Sequence, residues 1–276
     1  MKKLKNFDDI FILDSKKPGP TVILIAGIHG NEPAGILAFE KLKKIKLFYG
    51  KIYFIFGNLL AIKNKKRFID ADLNRLFISK NQLTKKQIKS REYNRSRKIM
   101  RFLKKADVLL DIHSTSKKSP PFIICEQNAN KIVSYFPFKI RCYGFGGIQT
   151  GSTDNYMNQN NKIGICIECG QHNDKNVSQR AINCVQILLN CLKMIKREKL
   201  KIKKQTIYKA SEIYITKTDE FKLVKKFNNF EKISKRQLIA LDGAKKIISQ
   251  KDQIIIFAKD CKKNEEGFVF LKKLTK

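Results

Sequence analysis

The sequence predicts an α/β fold, a mixed and mostly parallel sheet flanked by helices, followed by a small β-rich C-terminal domain. Two observations carry that prediction. Short apolar runs alternate with amphipathic, lysine-rich segments through about residue 197, as strands and crossover helices do around a buried sheet. After "MIKREKLKIKK" the alternation gives way to short strands separated by turns. At 276 residues the chain has room for one large domain and a smaller companion, here residues 1–200 and 203–276. The stretch joining them is charged and poor in Pro and Gly, so the two parts are expected to pack together.

In chain order, the predicted core strands are "VILIAGI" (22–28), "IYFIFGN" (52–58), "DVLLDIH" (107–113), "PFIICE" (121–126), "FKIRCYG" (138–144) and "IGICIE" (163–168). Each is short, apolar and rich in β-formers, which suits a strand covered on both faces. Apolar spacing predicts helices over 34–46, 84–105 and 177–197, the last presenting Val177, Ala181, Cys184, Val185, Leu188 and Leu192 on one face. The C-terminal strands are predicted in "QTIYKASEIYIT", "FKLVKKF", "QLIALDGAKKII" and "DQIIIFAK".

Composition narrows the function classes. No uninterrupted apolar run reaches the roughly 18 residues needed to cross a bilayer, so no membrane partner is expected. The basic start "MKKLKNFDDIFIL" resembles a secretory leader only superficially, because Asp8, Asp9 and Asp14 break up its apolar stretch and no small-residue cleavage site follows. Seven cysteines, an odd number placed mostly in apolar segments, suit reduced thiols in cytoplasm better than a disulfide framework. The formal net charge of +34 invites a nucleic-acid reading. However, the lysines are spread along the whole chain, beside abundant Ile and Asn and no Trp, as a biased base composition would produce. Solvated faces account for most of them; the net field leaves room for a weaker, salt-sensitive attraction to anionic metabolites, RNA or membrane surface, but no specific nucleic-acid partner is expected.

The chemistry concentrates at strand ends. His29 and Glu32 in "GIHGNE" sit three residues apart at a strand-to-helix junction, with Pro33 suited to the first helical turn. His113 ends the strand "DVLLDIH" and emerges at the same carboxyl edge, where open α/β sheets bind ligands. Two histidines and a carboxylate are the protein ligands of many catalytic zinc sites. On spacing alone the three are equally well read as buried polar side chains. Glu168 closes the strand "IGICIE", where it could act as a proton acceptor or merely cap a turn. In "KKRFIDADLNRLF", Arg67, Asn74 and Arg75 could hold a carboxylate and polarise a carbonyl, with Asp70 and Asp72 bracing them; a salt-bridged loop fits equally. Cys166 and Cys169 form a CxxC without a second pair and are expected to be buried thiols, while His172 is either a pocket residue or a surface one. The glycine-rich "GFGGIQTGSTDNYM" lacks a phosphate-loop signature. It is expected to form an active-site loop whose Thr153 or Asp154 caps the next helix.

Taken in order, "GIHGNE", "RFIDADLNR", "DIHST" and "IECG" resemble the succinylglutamate desuccinylase/aspartoacylase family, which shares the zinc carboxypeptidase fold. The resemblance covers residues from about 21 to 172. It implies that residues 1–200 form a catalytic domain holding one Zn2+ through His29, Glu32 and His113, with Glu168 as general base. It also implies that Arg67 polarises the scissile carbonyl, that Asn74 and Arg75 bind the α-carboxylate, and that the substrate is a small N-acyl amino acid cleaved at its amide. Two features depart from the family. The stretch "NYMNQNNKIGICIE" lacks the arginine that grips a side-chain carboxylate, leaving only Lys162 as an electrostatic substitute, and Tyr208 and Tyr214 sit in no alignable motif. Alternative readings are a peptide hydrolase of the metallo-carboxypeptidase kind and a basic nucleic-acid-binding protein on an inactive hydrolase fold.

Overall fold

A computed structural model describes residues 1–5 and 7–274. Its strands are β1 (Lys2–Lys3), β2 (Ile10–Asp14), β3 (Thr21–Ala26), β4 (Lys51–Phe56), β5 (Val108–Thr115), β6 (Phe122–Cys125), β7 (Ile140–Tyr143), β8 (Ile163–Gln171), β9 (Thr206–Ile215), β10 (Lys222–Leu223), β11 (Glu231–Ile233), β12 (Leu238–Asp242), β13 (Lys245–Ile248), β14 (Gln253–Ile256) and β15 (Glu266–Lys273). The helices are α1 (Pro33–Leu42), α2 (Leu59–Lys63), α3 (Lys85–Ile88), α4 (Arg91–Leu103), α5 (Asn130–Val133), α6 (Thr153–Gln159) and α7 (Val177–Cys191). Among the described residues, twelve strands form one sheet in the order β1-β2-β4-β3-β5-β8-β6-β7-β9-β15-β14-β11, and β10-β12-β13 form a second. The centre, β4-β3-β5-β8, is parallel, and antiparallel pairs flank it, so the sheet is mixed.

All six predicted core strands are present with ends shifted by a few residues, and the C-terminal strands are present as well. Of these, β9, β15, β14 and β11 extend the main sheet through β9, which pairs in parallel with β7, while β10, β12 and β13 make up the second sheet. Alternation along the strands makes two cores. Val22, Leu24, Leu110, Ile112, Ile165 and Ile167 face α1 and α7, whereas Ile23, Ile25 and Leu109 face α4 and α6.

The helices are shorter than apolar spacing predicts. α1 stops at Leu42, and Ile45 and Leu47 pack on the core without helical structure. The segment 84–105 breaks at Ser90, whose Oγ accepts from the Tyr93 N–H at 3.1 Å and donates to the Gln87 carbonyl at 2.6 Å, ending one helix and capping the next. α7 ends at Cys191, two residues before Lys193 turns left-handed at φ 58°. Among the described residues, no helix is long and apolar enough to cross a membrane.

Candidate functional site

The strand ends converge on one cavity of about 230 Å³. β3 ends at Ala26, the backbone turns through Gly27 at φ 67°, and His29 leaves the core just ahead of α1. Glu32 takes the N-cap position of α1 without capping it, which frees its carboxylate to turn inward. Gly30 is packed so tightly that a Cβ there would lie 2.0 Å from the Ala61 carbonyl carbon. His113 and Glu168 are register partners on the parallel neighbours β5 and β8, so the two side chains share one face of the sheet.

His29 Nδ1 lies 2.7 Å from Glu32 Oε1, and His113 Nδ1 lies 2.9 Å from Glu32 Oε2. Ligand atoms of His29, Glu32 and His113 fall within 4.8 Å of one another, and all three side chains are buried. Each imidazole is backed by a carboxylate on its far side. His29 Nε2 is 3.1 Å from Asp72 Oδ1. His113 Nε2 is 3.1 Å from Asp111 Oδ1, close enough for charge attraction although not aligned as a hydrogen bond. This aims both Nδ1 atoms at one point, the arrangement of metal-binding histidines with carboxylate support, and the donor set therefore fits a divalent metal. Burial alone would raise the Glu32 carboxyl, but the charges and hydrogen bonds of the two imidazoles outweigh it and hold Glu32 well below the usual carboxylate range.

Glu168 faces the same cavity, and its buried Oε2 has no hydrogen-bond partner among the described residues. Burial, and then the neighbouring Glu32 charge, push its carboxyl up to about 8. Arg67 stands at the cavity mouth with 41% of its side chain exposed, its Nη2 donating to Asp72 at 3.1 Å and its Nη1 to Glu32 at 3.4 Å. Asn74 and Arg75 line the cavity too. Asn74 Oδ1 accepts from the Thr153 N–H at 3.3 Å, and Arg75 is paired with Glu266 of β15. The cavity therefore gathers every residue the sequence singled out as catalytic, substrate-binding or metal-ligating.

Other expectations sort themselves by position. His172 lines the cavity, its Nδ1 2.9 Å from Ser114 Oγ. Lys162 is turned away, donating to the Leu103 and Lys104 carbonyls at 3.3 and 2.5 Å, and does not replace the absent arginine. Tyr214 bonds Asp242 and Tyr208 packs on Phe230, so neither lines the cavity. Cys166 faces the cavity while Cys169 joins the core on the opposite side of β8, since positions three apart on a strand point in opposite directions. Both are free thiols. Ser152, rather than Thr153 or Asp154, caps α6 by accepting from the Asn155 N–H at 3.3 Å, and Thr153 instead bonds Asp111.

Three residues that sequence reading passed over also shape the site. Glu266 arrives from β15, and Ser114 gives its N–H to Glu32 at 3.1 Å. Glu92 of α4, 1% exposed, accepts from Asn58 Nδ2 at 3.0 Å, from Ile69 N–H at 2.8 Å, and from the Asp70 and Ala71 N–H groups at 3.3 Å. It thereby clamps the loop that carries Arg67 and Asp72. The "DADLN" pattern shows a polar loop but gives no sign of which distant carboxylate receives its amides.

Comparisons with known proteins point to one family and one fold. The family profile described as succinylglutamate desuccinylase/aspartoacylase catalytic domain matches residues 18–195. A succinylglutamate desuccinylase of Pseudomonas putida (strain GB-1) is 42% identical over 77 residues, 26% of this chain and 23% of that protein. A probable aspartoacylase of Nostoc sp. is 29% identical over 171 residues, 54% of each chain. The chain thus matches under a quarter and about half of the length of these two relatives. The solved structure of a succinylglutamate desuccinylase from Vibrio cholerae shares the fold, with a TM-score of 0.80 at 15% identity, covering 96% of this chain and 85% of that one.

Proposed function

This chain belongs to the succinylglutamate desuccinylase/aspartoacylase family, and on that premise we propose that it is a zinc-dependent hydrolase that cleaves the amide bond of a small N-acyl amino acid or a close derivative. The observation that carries the reading is the convergence of the His29, Glu32 and His113 ligand atoms beside an unpaired Glu168 oxygen in one cavity.

His29, Glu32 and His113 would hold the zinc, which when bound would supply Lewis acidity and lower the pKa of water to about 7. Glu168, opposite these ligands, takes a proton from the attacking water and passes it to the departing amine nitrogen. Burial and the Glu32 charge hold its carboxyl at about 8, a value suited to a group that must both accept and return a proton. Arg67 retains N–H groups beyond those engaged by Asp72 and Glu32, and these donate to the oxygen that gains charge as the carbonyl is attacked. Asp72 and Asp111 hold the two imidazole rings in orientation. Phe257 and Ala258, which follow β14, line the cavity, and the exposed Lys259 stands at its rim.

The test is turnover of a panel of N-acyl amino acids and their amides by zinc-loaded protein, beside Glu168→Gln. The proposal expects hydrolysis by the parent and a loss of about 100- to 10,000-fold in the variant. Unimpaired turnover in Glu168→Gln would remove Glu168 from the reaction, and hydrolysis of no member of the panel would remove the proposal.

A further inference from the structure

The guanidinium of Arg75 is already engaged. Its Nε and Nη2 donate to the two Glu266 carboxylate oxygens at 2.7 and 2.6 Å, and its Nη1 donates to the Asn74 carbonyl at 2.8 Å. Gln149 Nε2 donates to Glu266 from the other side at 2.5 Å. The Arg75 and Glu266 side chains keep only 21% and 26% of their exposure. A paired, two-pronged contact of this kind is the geometry in which arginine grips a carboxylate ligand. Here the protein's own chain supplies the carboxylate.

An incoming carboxylate therefore meets a positive charge that is already matched. To seize the fork it must expel Glu266 into a cavity that also contains Asp154. Breaking a desolvated ion pair by removing one partner is strongly unfavourable. Among the described residues that line the cavity, the other Arg and Lys side chains already make contacts elsewhere or stand at the exposed rim. Arg67 is tied to Asp72 and Glu32, Lys117 donates to the Ala258 carbonyl at 2.5 Å, and Lys259 is an exposed rim residue. The wall nearby is apolar, formed by Ile124, Phe145, Cys166, Phe257 and Val269.

We infer that Glu266 sets the specificity of this site: it occupies the place on Arg75 that a substrate carboxylate would take, so the cavity selects acylated amines with an apolar body and a blocked carboxyl group, such as an amino-acid amide. The inference rests on the hydrolase reading for the fate of the bound molecule, but the selection itself is a matter of binding.

The test is calorimetric titration of N-acetyl-L-phenylalaninamide and N-acetyl-L-phenylalanine into zinc-loaded protein carrying Glu168→Gln, with and without Glu266→Gln. With Glu266 present the amide should bind at least tenfold more tightly. Glu266→Gln should move the ratio toward the free acid by about 10- to 100-fold, the scale of a hydrogen bond to a charged group. Equal or tighter binding of the acid, a ratio unmoved by Glu266→Gln, or binding of neither compound would overturn the inference. Should the single variant not fold, Arg75→Gln with Glu266→Gln removes both charges and should leave the ratio within about threefold of its parent, because the intact pair is already neutral; a clear shift toward the acid would overturn it. Turnover by wild-type protein separates the two readings. Selective binding without turnover removes the hydrolase reading alone, and turnover with a preference for the acid removes this inference alone.

Discussion

Replacing Glu92 by glutamine should both destabilise the protein and loosen the site. In the native structure Oε1 accepts from Asn58 Nδ2, Ile69 N–H and Asp70 N–H, while Oε2 accepts from Ala71 N–H and shares Asp70 N–H. Glutamine keeps one acceptor oxygen and points an NH2 group at the Ala71 amide, leaving that buried donor unpaired. An unpaired buried donor costs about 1–3 kcal/mol, and converting the remaining bonds from charged to neutral acceptors costs about 1 kcal/mol more, giving a loss near 3 kcal/mol. Against a typical domain stability of about 5–15 kcal/mol this is a large fraction. Urea unfolding followed by circular dichroism reads the loss directly. Glu92 fixes the loop after the exposed residues Lys65 and Lys66, so trypsin should cut there faster in the variant, and turnover should fall as Arg67 and Asp72 lose their positions. A loss under about 1 kcal/mol, with unchanged trypsin sensitivity, would refute the clamp and leave the Gly30 N–H to Arg67 carbonyl bond at 3.2 Å as the tie that holds the loop.

Gly30→Ala should disrupt metal retention and lower stability, because its Cβ would fall 2.0 Å from backbone that has no side-chain freedom to yield; near-normal metal content in a folded variant would contradict this. Asp242→Asn tests acid stability away from the site. Burial disfavours the Asp242 charge, but Thr218, the Lys217 and Thr218 amides and Tyr214 together hold its carboxyl below the ordinary value of 3.8. Its contribution is therefore fully present above 3.8 and disappears as pH falls through the lower folded value, so the variant should be less stable at pH 7 and lose less on acidification. Parallel urea midpoints for the two proteins across pH 2–7 would show that Asp242 contributes nothing.

The legible part of the site is the part written at strand ends. His29, His113 and Glu168 each follow an apolar run, and run length places them at the carboxyl edge before any contact is known. Their partners were less visible for a physical reason. Glu266 meets Arg75 across 191 positions, and Glu92 reaches its amides from a helix whose charged residues look like a solvated face when read one by one. Arg95 and Arg97 of the same helix are likewise committed, to the Phe56 and Gly57 carbonyls and to the Leu76 and Ile78 carbonyls. A strongly basic composition conceals such assignments, because the few structural cations are chemically identical to the many solvated ones. Helix ends were misjudged where apolar side chains pack without helical backbone, as Ile45 and Leu47 do. The union of the C-terminal strands with the main sheet depends on β7 pairing with β9, a non-local contact that local patterning does not encode.

If His29, Glu32 and His113 form a metal centre, purified protein carries the metal, and plasma mass spectrometry reads its content. Wild-type protein should hold about one zinc per chain, lost in both His29→Ala and His113→Ala while circular dichroism shows each variant folded. Wild-type protein that holds no metal after zinc is added back, or variants that keep it, would rule out a metal centre at these three residues.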